Sequence, residues 1–261
     1  MKSFFLKHKY NLIFSACAIA FMLLVWIISY YSVRNEYVVP SLLQTFKTFF
    51  KLFTEGDFWL SFLNTVLKTV ISFAVSFIIA GALSAFSVYS KNFAVFIKPV
   101  IGLLRTLPTL AVVLVLLVWT NPDIAPLIVA SLVLFPMIYA QIFSAAEGID
   151  GELLEMARIY SFSKRDKLFK IYLPLSLPYI LRQTGANISL GLKLVISAEV
   201  LSNTFKSLGG LMRNAQLYAD MPRLAALTAV AVIVGLVFEM AFSQTVRITY
   251  KWNKKENGYG N

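Results

Sequence analysis

The groups in this chain whose position most demands a chemical explanation are the few ionisable ones inside its apolar runs. Lys68, Lys193, Glu199 and Glu239 fall within long hydrophobic segments. A charge at such depth is costly, so it faces a cavity or a partner rather than lipid tails. Ser189, Lys193 and Ser197 recur at i, i+4 and i+8, which predicts a polar stripe along one helical face. Lys193 then has two readings. It is either a cation lining a pathway for an anionic or polar solute, or a lysine that snorkels to the interface or pairs structurally. Glu199 is expected to pair with Lys206 or Arg213, and Lys68 with Glu239 across helices. Arg105 and Thr106 open an apolar segment whose Pro108 is expected to leave backbone carbonyls facing a pathway.

The same inventory argues against an enzyme. One Cys and one His, Cys17 and His8, allow no intrachain disulfide, no Cys/His metal cluster and no His-based catalytic pair in the apolar body. No G-x-x-x-x-G-K-[ST] motif occurs, so the chain has no loop of the usual kind to cradle a nucleotide phosphate. No cofactor is expected in this chain. If transport is driven by ATP, the ATPase is a separate polypeptide.

The most informative stretch is a charged one between two apolar runs, Ala145 to Pro178. Leu153, Met156, Ala157 and Tyr160 recur at i, i+3, i+4 and i+7, the spacing of one helical face, with Glu152, Glu155 and Arg158 largely off it. Asp150-Gly151 suits the start of that helix, with acids in its first turn. Ser161-Phe162-Ser163 interrupts the pattern. Ser163 followed by Asp166 has capping-box form and predicts a second helix through about Tyr172, which Pro174 is expected to stop.

Glu155-Met156-Ala157-Arg158, Leu173-Pro174 and Leu177-Pro178 resemble the "EAA" coupling loop of ABC importer permeases, although that family usually has a glycine near the position of Ser161. The likeness continues upstream through Arg105-Thr106-Leu107-Pro108 and downstream through Gly185, Gly191-Leu192, Ala198-Glu199 and Leu208-Gly209. It covers nearly everything after about residue 37. It looks most like the branch importing aliphatic sulfonates, taurine, nitrate and vitamin precursors. The resemblance implies a type I importer permease working with an ATP-binding cassette ATPase dimer, which holds ATP and Mg. It also implies a second permease subunit, commonly identical, and an extracytoplasmic solute-binding protein. The loop helix would act as a lever in alternating access. Glu152, Glu155, Met156, Ala157, Arg158, Tyr160 and Ser161 would meet the ATPase, with small Ala157 making the closest contact and Glu155 and Arg158 at the rim. The pathway candidates are Ser189, Lys193, Ser197, Glu199, Arg105 and Thr106; a glutamate at the Glu199 position is common in the family. Residues 200–222 are expected at the outer gate, as a re-entrant turn plus a short helix.

These residues need a membrane-spanning scaffold, and composition supplies one. The chain is 58% hydrophobic and 14% charged, against about 25% charged in soluble domains. The expected fold is all-α and polytopic, with six transmembrane helices at about 12–31, 62–89, 103–120, 124–143, 179–198 and 224–246, each near the ~20 residues a span requires. The first run is too long for a signal-peptide core and lacks a cleavage site, so it is expected to be retained. With the N-terminus inside, sixteen of the 24 Lys and Arg lie on the cytoplasmic side and six on the other. The positive-inside rule therefore places both termini and the charged loop in the cytoplasm, as in a bacterial inner membrane. That distribution explains the net charge of +11 through the lipid bilayer, not nucleic acid.

The chain divides into a tail and first span at 1–36, an outer amphipathic segment at 37–58, a permease core at 59–246 containing the loop at 145–178, and a basic tail at 247–261. Two other classes stay open on the residues alone. An ion-coupled carrier or channel would show midplane carboxylates and helix breaks repeated in both halves, and no clear repeat occurs. A membrane enzyme or assembly factor would need convergent catalytic groups, and none is evident.

Overall fold

In a computed structural model, which describes residues 2–249, the apolar runs are helices joined by short, capped turns. The end of the basic tail, with Lys251, Lys254 and Lys255, lies outside the described residues. The helices are α1 (Lys2–Val33), α2 (Leu42–Leu52), α3 (Gly56–Tyr89), α4 (Lys91–Thr106), α5 (Thr109–Trp119), α6 (Ala125–Glu147), α7 (Gly151–Ile159), α8 (Lys164–Lys167), α9 (Leu173–Ser202), α10 (Leu208–Leu217) and α11 (Met221–Thr249). Ser41, Ser90, Asp150, Ser163 and Ser207 each accept a first-turn N–H with the side chain and so begin α2, α4, α7, α8 and α10. Asn203 ends α9 in the left-handed region, φ 54°, where its short polar side chain is tolerated.

Among the described residues five helices are long and apolar enough to cross a bilayer, and a bent pair makes a sixth if it is counted as one span. That pair stands where a short span carrying Pro108 was expected at 103–120, and it is bent at that proline. α4 and α5 meet at 93° across Leu107-Pro108. Proline holds Leu107 extended, φ −62° and ψ 125°, because its ring clashes with a helical predecessor. α5 alone has 11 residues, about 16 Å of helix against a core of about 30 Å. Pro174 behaves in the opposite way. It does not stop the second loop helix, because the five-residue π turn Leu168–Tyr172 carries α8 into α9. A wider turn changes the backbone pairing just where the proline lacks its donor.

Packing follows from a stripe of small residues on α3. Ser61, Thr65, Thr69, Ser72, Ser76, Ala80, Ser84 and Ser87 are all buried, which lets neighbouring helices approach closely where lipid offers no hydrophobic drive. The hydroxyls of Ser72, Ser76 and Ser84 donate to the carbonyls of Leu127, Ser131 and Tyr139 on α6 at 3.1, 3.1 and 3.2 Å. The constant offset shows that α3 and α6 run parallel and in register. α9 runs antiparallel to α11, with Gly185 against Glu239 and Gly235 against Ser189. Gln141 and Asn187 exchange amide hydrogen bonds between α6 and α9 at 2.7 and 3.2 Å. Leu52, Phe58, Leu192, Leu208 and Leu227 form an apolar core that ties α2, α3, α9, α10 and α11 together.

The contact at Gly185 is with backbone. A Cβ there would lie 3.0 Å from Glu239 Cα and 3.1 Å from its carbonyl oxygen. Gly185→Ala is therefore expected to destabilise the folded protein by about 1–3 kcal/mol, read as a lowered thermal midpoint in detergent. An unchanged midpoint would show that α9 and α11 can separate freely.

Candidate functional site

The charged loop folds as α7, a sharp turn, and α8. Asp150 accepts the Glu152 N–H at 3.0 Å. At the turn, Phe162 N–H donates to Ala157 O at 2.9 Å and Ser161 N–H to Arg158 O at 3.0 Å. Ser161 takes φ 53°, the left-handed conformation that a glycine adopts without strain. Ser163 Oγ accepts the Asp166 N–H at 3.1 Å and its hydroxyl donates to the Asp166 carboxylate. This differs from a full capping box in that the carboxylate takes the hydroxyl, not the backbone N–H. Lys170 pairs with the same carboxylate at 2.7 Å. Tyr89, the last residue of α3, donates its hydroxyl to Lys164 O at 2.6 Å and fastens the loop to the helical body.

The exposed surface of α7 differs from the expected one. Ala157 is fully buried within this chain, so it packs inward and is not available as the closest contact for a partner. The periodicity found the face but not which side of it meets the body. Met156 is 44% exposed, Tyr160 72% and Ile159 81%. Ile159 was absent from the sequence candidates, and its signal is an apolar side chain in a loop with nothing of its own to cover it. Glu152, Glu155, Arg158 and Ser161 are exposed around it.

At the other end of α9, Glu199 is buried completely. Its Oε1 meets Lys68 Nζ at 3.3 Å, and its Oε2 accepts the Thr65 hydroxyl at 2.8 Å and the Gly209 N–H at 3.2 Å. Thr65 Oγ1 in turn accepts the Leu208 N–H at 2.9 Å. α3, α9 and α10 thus converge on one carboxylate. A Cβ on Gly209 would lie 2.4 Å from Glu199 Cβ, so only glycine brings that N–H close enough. This corrects two expected pairs. Glu199 pairs with Lys68, not with Lys206 or Arg213. Lys68 does not pair with Glu239, because the antiparallel register sets Glu239 level with Gly185 near the opposite end of α9.

The expected polar stripe also divides. Ser189 is buried, with its hydroxyl facing Gly235 on α11, whereas Lys193 and Ser197 are exposed on another face of α9. Arg105 lines a cavity of about 590 Å³ between α4 and α6 together with Lys98, Tyr139, Ser144 and Glu147. Thr106 is exposed at the α4–α5 bend, its hydroxyl donating to Leu103 O at 2.9 Å. Among the described residues no three His, Cys, Asp or Glu side chains come together in a way that would hold a metal ion.

Two outcomes test this geometry. Removing one partner of a buried pair leaves an uncompensated charge, so Lys68→Met or Glu199→Gln alone is expected to destabilise by about 3 kcal/mol, and the double variant by less than the sum of the two. Additive losses in thermal midpoint would show that the pair is not coupled. Ser161→Gly is expected to raise the midpoint, by up to about 1 kcal/mol of relieved left-handed strain. A fall would mean that the hydroxyl, not the backbone, decides that position.

The description of one protein family, "binding-protein-dependent transport system inner membrane component", matches this chain over residues 77–249. The putative aliphatic sulfonates transport permease protein SsuC of Bacillus subtilis is 23% identical over 92% of this chain and 87% of its own length. Its namesake in Escherichia coli is 25% identical over 83% and 82%. A glycine betaine transport system permease, OpuAB of B. subtilis, is 22% identical over 81% and 72%. Among solved structures, a bacterial alginate ABC transporter complexed with its alginate-bound periplasmic protein superposes with a TM-score of 0.65 at 17% identity, over 90% of this chain and 95% of that one. An amino acid ABC transporter with histidines gives 0.61 over 72% and 91%, also at 17% identity. The family match spans well over half of the sequence, and the chain belongs to the inner-membrane permease components of binding-protein-dependent transport systems.

Proposed function

We propose that this chain is the permease subunit of an ATP-driven importer whose α7 docks a separate ATP-binding cassette dimer carrying ATP and Mg. Both termini and the α7–α8 loop lie in the cytoplasm of the inner membrane. A second permease subunit, of the same kind, completes the translocation route, and a binding protein on the outer face delivers the solute. One observation carries the docking assignment: a nine-residue helix set between two spans leaves Met156, Ile159 and Tyr160 uncovered by its own chain. Apolar side chains displayed this way on a capped, anchored helix suit a groove on a partner. The excess of Lys and Arg on the loop side supports the orientation.

The solute proposed is a small polar or anionic molecule of the aliphatic sulfonate type, in line with the names of the permeases that this chain resembles over most of their length. Nothing in the geometry favours an ion-coupled carrier. Glu199, the one buried acidic side chain among the described residues, is held by Lys68, Thr65 and Gly209.

Mild solubilisation together with the products of neighbouring genes is expected to recover a P-loop ATPase in stoichiometric amount. Ile159→Asp with Tyr160→Ala should lower that recovery by about tenfold or more while leaving the permease in the membrane. Undiminished recovery from the variant would remove α7 as the docking helix. Transport insensitive to ATP, by a permease that purifies alone, would remove the importer reading altogether.

A further inference from the structure

Between Tyr179 and Leu201, α9 exposes no large apolar side chain. The residues it does expose there are Arg182, Ala186, Lys193 and Ser197, which follow one helical face. Its neighbours look different at the same depth. α3 displays Leu67, Val70 and Ile78, and α11 displays Val232, Leu236 and Met240, the surfaces that lipid tails require. Lys193 lies nine residues from the end of α9 at Ser202, about 14 Å by the helical rise and close to the middle of a ~30 Å core. Arg182 lies about 16 Å further along the same face.

Among the described residues neither cation has an ion-pair partner. Glu199 is committed on the opposite side of α9 to Lys68, Thr65 and Gly209. Glu239 is exposed on α11 at the level of Gly185, nearer in depth to Arg182 than to Lys193. An unpaired ammonium at mid-span is not left against lipid.

We infer that this face of α9 is a water-filled wall of the transport route, and that Lys193 makes it selective for an anionic solute. The inference rests on the permease reading above and names the charge of what passes. It also redraws the route. Ser197 and Lys193 are on it, Arg182 and Ala186 join them, and Ser189 and Glu199 leave it for helix packing. Charge complementarity decides the occupant, since a second copy covering this face would have to bring an acid opposite Lys193.

The single cysteine, Cys17, makes a direct test possible in the assembled transporter. In a Cys17→Ser background, Ala186→Cys, Ser197→Cys and, for the lipid face, Leu236→Cys are treated in right-side-out and inverted vesicles. The probes are 2-sulfonatoethyl methanethiosulfonate, an anion, and the trimethylammonium reagent of the same class, a cation. Each rate is divided by that reagent's rate with a free thiol. Ser197→Cys is expected to react about fivefold or more faster with the anion, and Lys193→Gln to abolish that preference, while Leu236→Cys stays unreactive. No reaction at both 186 and 197 from either side would overturn the wall, whether lipid or a second subunit covers it. Reaction without a preference for the anion, or a preference that survives Lys193→Gln, would overturn the role of Lys193. Loss of the ATPase partner is read separately by purification, so the two failures are distinguishable.

Discussion

A carboxylate with no solvent exposure must be compensated where it stands, and the architecture at one end of this protein is built around that demand. Burying an ionised group costs several kcal/mol unless opposite charge and hydrogen bonds replace its water. Glu199 obtains them from Lys68 and Thr65 on α3 and from the Gly209 N–H at the start of α10. Each donor requires something else of the chain. Gly209 must lack a side chain to come close enough. Thr65 must also accept the Leu208 N–H. The turn between α9 and α10 must then reverse within 203–207, helped by Thr204 donating to Pro122 O at 2.8 Å and Ser207 capping α10. One buried charge thus sets the relative position of three helices and a loop.

The same helix that meets Glu199 carries the constraint to the other end. From Thr65 to Tyr89, α3 runs 24 residues, about 36 Å by the helical rise. It presents hydroxyls to α6 in constant register along the way. It ends with Tyr89 bonded to Lys164 beside the α7–α8 turn. α6 enters the loop and α9 leaves it, and both are packed against α3. A displacement of α7 therefore acts on a continuous body of parallel α3 and α6 and antiparallel α9. Close packing of small residues and reciprocal polar contacts make that body stiff, because such interfaces repack between arrangements rather than stretch.

Features written in neighbouring residues were legible in the sequence, and features set by register were not. The caps at Asp150 and Ser163 and the turn at Ser161 depend on side chains within a few positions, so the loop could be read almost as it folds. The number and order of the spans followed from apolar length, with the α4–α5 pair counted as one. The partner of Glu199 is 131 residues away, and nothing local indicates which turn of α3 stands opposite it. The same ignorance of register allowed Lys68 to be matched with Glu239. Periodicity grouped Ser189 with Lys193 and Ser197, but successive i+4 steps drift about 40° around a helix, enough to carry Ser189 into the α11 contact. Ala157 failed for a related reason: a stripe of residues defines a face without saying whether the chain or a partner covers it. Pro108 and Pro174 carried the same local rule to different ends, since a π turn upstream absorbed the second and no such device accompanies the first.

Exposure carries a different meaning at each level of a membrane protein, and sorting surfaces by depth explains why two faces here stand apart from the rest. Exposed leucine and valine on α3 and α11 are at rest, since the solvent there is hydrocarbon. Exposed isoleucine and tyrosine on α7 are not, because the charged loop around them has an aqueous setting, where an apolar patch gains free energy by being covered. Exposed lysine on α9 reverses the argument: at mid-span it is the polar group that needs a covering, of water or opposite charge. One face calls for a protein with an apolar groove and the other for an aqueous anion. The first lies on the loop and the second at mid-span of the helix that leaves it, and coupling one to the other is the physical task of an energised permease.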